Sequence, residues 1–319
     1  MKPLRVAVVG VGYLGRFHAE KYAALDSTNL VGVCDLDGER GRELAGRLGT
    51  NYFASHRALI GQVDAVIVAA STAAHYELTH DFLERDVHVL VEKPISETSR
   101  EAAELSALAE QRGLKLQVGH IERFNPALVS ARDRLDDVRF IECHRLAPFT
   151  ARGVDVNVVL DLMIHDLDVI LSLVDSEPQQ VSAIGIAVLT DDVDIANARI
   201  EFENDAIANV TASRVSTSSQ RKFRVFQQNQ YLAIDFGAGE VLRVNTSVEQ
   251  RGEPTTLQEE TWNLDKGDAL LAESTAFVDS IVNDTPCVVS GRDGQRALEL
   301  AETIINDIEK RRPGGRGFA

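Results

Sequence analysis

The 319-residue sequence has few cysteines and no excess of positive charge, and each of these features argues against a class of protein. Cys34, Cys143 and Cys287 are odd in number, far apart and in no C-x-x-C pair. This predicts reduced thiols rather than a disulfide framework. Lysine and arginine number 33 against 49 acidic residues, and the net charge of −16 argues against a partner that is a nucleic acid.

Long apolar runs, a signal-peptide pattern, internal repeats and low-complexity segments are also missing from the sequence. No apolar run approaches the ~20 residues that a membrane-spanning helix needs. We therefore expect a cytoplasmic protein without a membrane partner. The length and the 44% content of hydrophobic residues suffice for two domains of ordinary size.

Three glycines at a characteristic spacing follow the first apolar segment. Val6–Val9 reads as a buried strand, and Gly10, Gly12 and Gly15 follow it at G-x-G-x-x-G spacing. Gly10 permits a tight turn, Gly12 lets a pyrophosphate approach the backbone, and Gly15 lets a helix pack close to the strand. The N-terminus of that helix offers free N–H groups and a positive dipole to phosphates. A glycine turn without a ligand has the same spacing, so the motif needs support from the next strand.

That support comes from Asp35, which ends a second predicted strand 20 residues after Gly15. A carboxylate at this distance accepts hydrogen bonds from the ribose hydroxyls of a dinucleotide. The same carboxylate repels the 2′-phosphate of NADP, so the sequence favours NAD as the cofactor. Arg40 lies close enough in sequence to weaken that preference.

The order of predicted elements changes after the first third of the chain. Strands and helices alternate at first, which predicts a parallel sheet with helices on both faces. After Pro178 long strands follow one another with short turns, which predicts a mostly antiparallel sheet. We place an NAD-binding domain at residues 1–120 and a substrate-binding and oligomerisation domain at 121–319. The C-terminal helix of the second domain is able to pack back on the first.

Two groups of residues have the chemistry of an active site. Glu92-Lys93-Pro94 follows a predicted parallel strand, at the sheet edge where ligands bind in open α/β folds, and Pro94 is a candidate for a cis bond. Asp161 and His165 are four residues apart on an apolar predicted helix, so they share one face. A solvated loop lysine and a core histidine paired with a carboxylate are the structural alternatives. These two side chains are too few for a zinc site, and we expect no metal.

A third group lies at the predicted domain junction, a common position for ligands. His120, Arg123 and Asn125 occur there within six residues, and Arg123 presents a fork of donors suited to a phosphate or carboxylate. The alternative for Arg123 is a linker arginine paired with an acid nearby. Arg152, which precedes the Asp161 helix, is a second cationic candidate. Asp166 and Asp168 lie on other faces of that helix, and we expect them to be caps or surface charges.

The ordered set of these motifs resembles the Gfo/Idh/MocA family of oxidoreductases. The resemblance runs over nearly the whole chain, from the glycine motif through Glu92-Lys93-Pro94 and Asp161-x-x-x-His165 to the segment before the last helix. It implies an α/β protein with an N-terminal Rossmann fold, which is a doubly wound parallel sheet. A C-terminal α/β domain with a large, mostly antiparallel open sheet follows, and such sheets commonly mediate homodimers or homotetramers.

Within the family, the segments around His120 and around Asp161 resemble members that oxidise C3 of UDP-linked N-acetylated amino sugars. The resemblance implies that Lys93, Asp161 and His165 are the catalytic residues. The expected substrate-binding residues are Lys93, His120, Arg123, Asn125, Arg152, Asp161 and His165. The expected NAD-binding residues are Gly10, Gly12, Tyr13, Leu14, Gly15, Asp35, Ala70, Ser71, Thr72, His75, Glu92 and Lys93.

Two other functions are compatible with the same motifs. One is a dehydrogenase of the family that acts on a free polyol, such as inositol, or on another small molecule. The other is an NAD-binding sensor without catalysis, against which the complete set of catalytic candidates argues.

Overall fold

The structure, a computed structural model, describes residues 2–150, 156–247, 256–264 and 267–311. The chain forms two compact units. The first contains the residues up to Phe124 together with Asp268–Leu298, and the second contains Asn125–Gly267 and the residues from Glu299 onward. The first unit therefore includes residues 268–298, which the sequence division had placed in the second domain.

The described residues form fourteen strands in two sheets. In chain order they are β1 Leu4–Val9, β2 Thr28–Cys34, β3 Asn51–Phe53, β4 Ala65–Val68, β5 His88–Glu92, β6 Leu116–Gly119, β7 Val138–Leu146, β8 Pro178–Ile186, β9 Ile195–Phe202, β10 Ile207–Ser213, β11 Gln220–Gln227, β12 Gln230–Asp235, β13 Glu240–Ser247 and β14 Thr256–Asn263.

Eight α-helices accompany these strands in the described part of the chain. They are α1 Tyr13–Ala24, α2 Gly38–Leu48, α3 Thr72–Leu83, α4 Ser99–Arg112, α5 Pro126–Ala131, α6 Ile164–Leu173, α7 Ala269–Val282 and α8 Gly291–Arg311. None of them combines the length and the hydrophobicity needed to span a bilayer.

The sheet of the first unit is parallel throughout, in the order β3-β2-β1-β4-β5-β6. The chain order reverses direction at β1 and β4, which is the arrangement of doubly wound dinucleotide-binding sheets. This confirms the predicted Rossmann fold. Strand β3 was not predicted, because three residues are too few for a periodicity signal.

Local sequence explains where the helices of this unit begin and end. A capping box, which the T-x-x-E spacing of Thr98 and Glu101 predicts, starts α4: the Thr98 hydroxyl accepts from the Glu101 N–H, and the Glu101 carboxylate accepts from the Thr98 N–H. Gly113 ends the helix in the left-handed region with φ of 65°. Helix α7 belongs to the same unit because Phe277 and Val278 pack into the hydrophobic core around β1.

The sheet of the second unit has the order β14-β13-β12-β11-β7-β10-β9-β8. Every pairing is antiparallel except that between β7 and β10, which confirms the mostly antiparallel open sheet. The apolar helix predicted to carry Asp161 and His165 is divided. Its first turn, Val159–Met163, is π-helical, and α6 continues from Ile164 to Leu173. Short π-helical turns occur often at functional sites.

The interpretation of Asp166 and Asp168 as caps or surface charges is wrong. Both side chains are buried in α6, and Asp166 forms a two-pronged ion pair with Arg145 of β7 at 2.8 and 2.9 Å. A second buried pair joins Arg214 to Asp194 at 2.8 Å. Arg214 also donates to the carbonyl of Val156, which lies shortly before the π-helical turn. These buried cations and anions satisfy each other, as buried charges must.

The contact between β1 and α1 allows no side chain at Gly15. A Cβ atom there would lie 1.8 Å from the carbonyl oxygen of Gly10. Gly10 itself has φ of 84°, and a Cβ on it would lie 2.7 Å from backbone atoms of Ala69 and Ala70. Both glycines are therefore required by the packing of the protein itself.

We expect Gly15→Ala to lower the free energy of unfolding by about 3 kcal/mol or more, because α1 must shift away from the backbone of Gly10. Urea denaturation measures the change. The matched control is Gly46→Ala, at an exposed position of α2 where a Cβ meets no atom within 4 Å. This control should stabilise the protein by roughly 0.5–1 kcal/mol through helix propensity. Equal stability of Gly15→Ala and wild type would contradict the close contact.

Candidate cofactor and active site

The glycine motif occupies the turn between β1 and α1, as predicted. Unlike its two neighbours, Gly12 faces open space, and a Cβ on it would meet no protein atom within 4 Å. The open side of Gly12 is therefore available to a ligand that approaches the backbone. The first turn of α1 follows at Tyr13 and Leu14, whose side chains are both exposed.

Asp35 lies directly after β2 and its carboxylate reaches back to the glycine turn. It accepts from the backbone N–H of Val11 at 2.7 Å and of Asp37 at 2.8 Å, and the Arg40 guanidinium donates to it at 2.7 Å. Burial alone would raise the pKa of Asp35, but the Arg40 hydrogen bond and the two backbone donors together lower it. Asp35 is therefore an anion at neutral pH and fixes the conformation of the turn.

A cavity of about 560 Å³ lies along this edge of the parallel sheet. Its lining includes four of the predicted cofactor residues besides Asp35: Gly10, Gly12, Ala70 and Ser71. A second cavity of about 290 Å³ shares Gly12 and Arg40 with the first, and its lining also includes Arg16 and Arg47. A glycine with an open face, a carboxylate 20 residues beyond the motif and nearby arginines suit the diphosphate and ribose of a dinucleotide.

Thr72 and His75 lie at the start of α3 and are absent from the linings of these two cavities. Thr72 is the first residue of the helix. His75 is buried, and its ring nitrogens lie 2.8 Å from the carbonyl oxygen of Pro94 and 3.1 Å from that of Ala70. Burial lowers the pKa of His75, against the effect of both carbonyls. The neutral ring therefore connects the chain after β4 to the chain after β5.

Glu92-Lys93-Pro94 ends β5, and the Lys93–Pro94 peptide bond is cis, as suggested by the sequence. The Glu92 carboxylate accepts a 2.7 Å hydrogen bond from Nε2 of the buried His18. Burial would raise the pKa of Glu92, but His18, Lys93 and His75 outweigh burial and lower it. Lys93 therefore follows a fixed anion at the carboxyl end of a parallel strand, where ligands bind in such sheets.

His120 and Arg123 are both buried in the first unit. The pKa of His120 falls to about 3 because of burial and the positive charges of Lys93 and Arg123, so the ring is neutral at physiological pH. Arg123 is only 7% exposed and donates to the carbonyl of Val288 at 3.1 Å. This hydrogen bond gives Arg123 a backbone partner within the first unit.

The second unit contains the remaining candidates. Asp161 lies in the π-helical turn and His165 in the first turn of α6, and both are partly exposed. Asn125 caps α5 by accepting from the N–H of Ala127, and it donates to the carbonyl of Phe236. Arg152 lies outside the described residues.

Several polar residues that organise these sites were not found from the sequence. Glu273 of α7 is fully buried in the first unit, and Arg145 and Arg214 hold the segments around Asp161 and His165 in the second. An isolated acid one helical turn before Phe277, on the buried face of an apolar helix, was an available signal for Glu273.

Comparison with protein families gives two matches. Residues 4–120 match the oxidoreductase family with an NAD-binding Rossmann fold, and residues 130–232 match the Gfo/Idh/MocA C-terminal domain.

Individual proteins match the chain over almost its full length. UDP-N-acetylglucosamine 3-dehydrogenase from Acidithiobacillus ferrooxidans is 39% identical, with 96% of this chain and 97% of the relative covered. Its crystal structure superposes with a TM-score of 0.91, at 38% identity, and covers 97% of this chain and 99% of that one. Myo-inositol 2-dehydrogenase from Thermotoga maritima is 26% identical, with 97% of each chain covered.

These matches, together with the two sheets, confirm the predicted family, the α/β fold class and NAD as the cofactor. The chain therefore belongs to the Gfo/Idh/MocA family of oxidoreductases, and its first unit is the NAD-binding Rossmann domain of that family.

Proposed function

We propose that the protein oxidises a secondary hydroxyl of a nucleotide-activated sugar to a ketone, at C3 of a UDP-linked N-acetylated amino sugar. The observation that carries this proposal is the 39% identity to UDP-N-acetylglucosamine 3-dehydrogenase over 96% of the chain. Inositol dehydrogenases are less similar over the full length, at 26% for the Thermotoga maritima enzyme. They supply the alternative substrate class, a free polyol.

Three residues carry the proposed chemistry. When bound, NAD accepts a hydride from the hydroxyl-bearing carbon. His165 takes the proton of that hydroxyl as the general base, and Lys93 donates a hydrogen bond to the same oxygen and stabilises the charge that develops there. Asp161 orients the sugar ring and holds the tautomer of His165. In the alternative assignment, Lys93 is the general base and His165 donates the hydrogen bond.

The remaining substrate contacts in the proposal come from His120, Arg123, Asn125 and Arg152. The arginines are assigned to the diphosphate or to a sugar carboxylate, because guanidinium groups bind both through paired hydrogen bonds. A neutral His120 is suited to accept or donate one hydrogen bond to a sugar hydroxyl without adding charge.

Substrate identity is tested with NAD and a panel of UDP-sugars and free polyols, monitored by the absorbance of NADH. We expect turnover with UDP-N-acetylglucosamine or a related UDP-linked N-acetylated amino sugar, and a ketone at C3 in the product. Turnover only with inositol would show that the substrate is a free polyol instead.

The catalytic roles are tested by substitution. Lys93→Met and His165→Ala should each lower kcat by a factor on the order of 10² or more, with the Kd for NAD nearly unchanged. Near-normal turnover in both variants would rule out the proposed roles of Lys93 and His165.

Cofactor preference is tested at Asp35. We expect the wild type to prefer NAD, because NADP would place a phosphate next to an anionic carboxylate. Asp35→Ser should weaken NAD binding and release Arg40, so the ratio of the two Kd values should move toward NADP by about tenfold, or ~1.4 kcal/mol. Asp37→Asn is the control, since asparagine also caps α2. Titration calorimetry measures both affinities, and an unchanged ratio in Asp35→Ser would contradict this role.

We also propose that the protein is a homodimer or homotetramer that works in the cytoplasm. Four large apolar side chains on and after the edge strand β8 are 55–60% exposed: Ile184, Ile186, Val188 and Leu189. Such a group favours an interface with a second copy. Light scattering should therefore give a mass of two or four chains, and Ile186→Lys should lower that mass. A monomeric wild type would contradict the proposal.

The three free cysteines support the proposed cytoplasmic location, which cell fractionation tests.

A further inference from the structure

A cluster of three titratable groups lies behind the Glu92-Lys93-Pro94 turn in the first unit. We call His18, Glu92 and Glu273 the buried cluster. One nitrogen or oxygen atom from each lies within 4.8 Å of the other two. The cluster joins α1, β5 and α7, and none of the proposed chemical steps uses His18 or Glu273.

Glu273 differs from the other two members because its carboxyl group has no visible partner. The side chain is 0% exposed, and neither of its oxygens has a hydrogen-bond partner among the described residues. Burial raises the pKa of Glu273 well above the ordinary value, and the negative charge of Glu92 raises it further. An ionised carboxylate at this position would be a buried charge without compensation, which is strongly unfavourable.

The two carboxyl groups of the cluster differ in their donors. Glu92 accepts from Nε2 of His18 at 2.7 Å and, more weakly, from the backbone N–H of Lys93 at 3.3 Å. Donors of this kind favour the ionised form of a carboxyl group. Two neighbouring buried carboxyl groups cannot both be ionised at low cost, so the one without donors keeps a proton. A protonated Glu273 has one O–H to donate, and Glu92 is the anion close to it.

The other polar groups near Glu273 do not change this assignment. Tyr22 of α1 is buried and remains neutral, because burial and then Glu273 raise its pKa. Gln117 of β6 donates to the backbone carbonyl of Glu273 at 3.2 Å, not to its carboxyl group. Glu122 and Arg123 belong to the 3₁₀ turn that packs against α7. Lys93, His75 and His120 interact electrostatically with Glu92.

We propose that Glu273 is a positioning residue for Lys93: it stays a neutral carboxylic acid at neutral pH and donates its proton in a hydrogen bond to Glu92, which His18 holds from another side. Glu92 is then fixed by two side-chain hydrogen bonds instead of one. Because Lys93 is the next residue, the orientation of its backbone follows that of Glu92. The Lys93 part of this inference rests on the proposed function, whereas the protonation of Glu273 does not.

The protonation state is tested by stability as a function of pH, with Glu273→Gln as the isosteric neutral variant. In the unfolded chain Glu273 has the ordinary glutamate pKa of about 4.3, whereas in the folded protein its pKa is raised. Above pH ~4.3, unfolding therefore releases the proton of Glu273, and a rise in pH favours unfolding. The unfolding constant of wild type relative to Glu273→Gln should therefore rise about tenfold per pH unit between pH 5 and 7. Asp279→Asn, at an exposed position of the same helix, should follow wild type within about twofold.

Infrared difference spectroscopy gives a second readout that needs no activity. At pH 7 wild type should show a protonated carboxylic-acid carbonyl band that is absent from Glu273→Gln and retained in Asp279→Asn. Parallel stability curves for wild type and Glu273→Gln, or no such band, would overturn the proposal. Stabilisation of wild type by Zn²⁺ or Mn²⁺ that Glu273→Gln abolishes would also overturn it, because the cluster would then hold a cation instead of a proton.

The effect on Lys93 is tested by comparing Glu273→Gln with Glu273→Leu. The amide retains a donor for Glu92, so Glu273→Gln should keep kcat within about threefold of wild type. Glu273→Leu removes the donor and should lower kcat at least tenfold and shift the pH profile of kcat, with an unchanged Kd for NAD. Equal kcat values and pH profiles in these two variants would overturn the positioning role. Absence of turnover with every sugar, together with the expected stability curves, would instead reject the proposed function alone.

Discussion

The absence of a side chain at Gly15 is the constraint on which the candidate cofactor site depends. It lets α1 start against the backbone of Gly10, where a Cβ atom would lie within 1.8 Å of a carbonyl oxygen. The turn that results presents the N–H of Val11 to Asp35. One turn further along, the same helix presents His18 to Glu92. A single strand–helix contact therefore fixes the glycine turn, the carboxylate of Asp35 and the residue before Lys93.

The buried carboxyl groups of the first unit show how position rather than residue type sets ionisation. Asp35 has donors from two backbone N–H groups and a guanidinium, and its pKa is lowered. Glu92 accepts a hydrogen bond from the imidazole of His18, and its pKa is also lowered. Glu273 has no hydrogen-bond donor among the described residues, and its pKa is raised. The hydrogen bonds available to each group thus decide whether it holds a charge at neutral pH.

Local features of both units were predictable because their causes lie within a few residues. The glycine motif, the capping box of α4 and the alternation that gives a parallel sheet all depend on short spacings. The division of the predicted helix into Val159–Met163 and α6 was not predictable, because an apolar run has the same appearance in either helical form. In the second unit, spacing placed Asp161 and His165 on one helix face but left a core histidine as the alternative, and the resemblance to a family supplied their catalytic roles.

The polar partners of buried side chains could not be predicted from the sequence, because they lie far apart along the chain. Asp166 pairs with Arg145, which is 21 residues away, and Glu92 pairs with His18, which is 74 residues away. Because Asp166 follows His165 directly, its ion pair fixes the first turn of α6 against β7. Removing one charge of such a pair leaves the other buried without compensation. Buried pairs next to candidate residues therefore hold the backbone of the second unit in the way that the glycine contact holds the first.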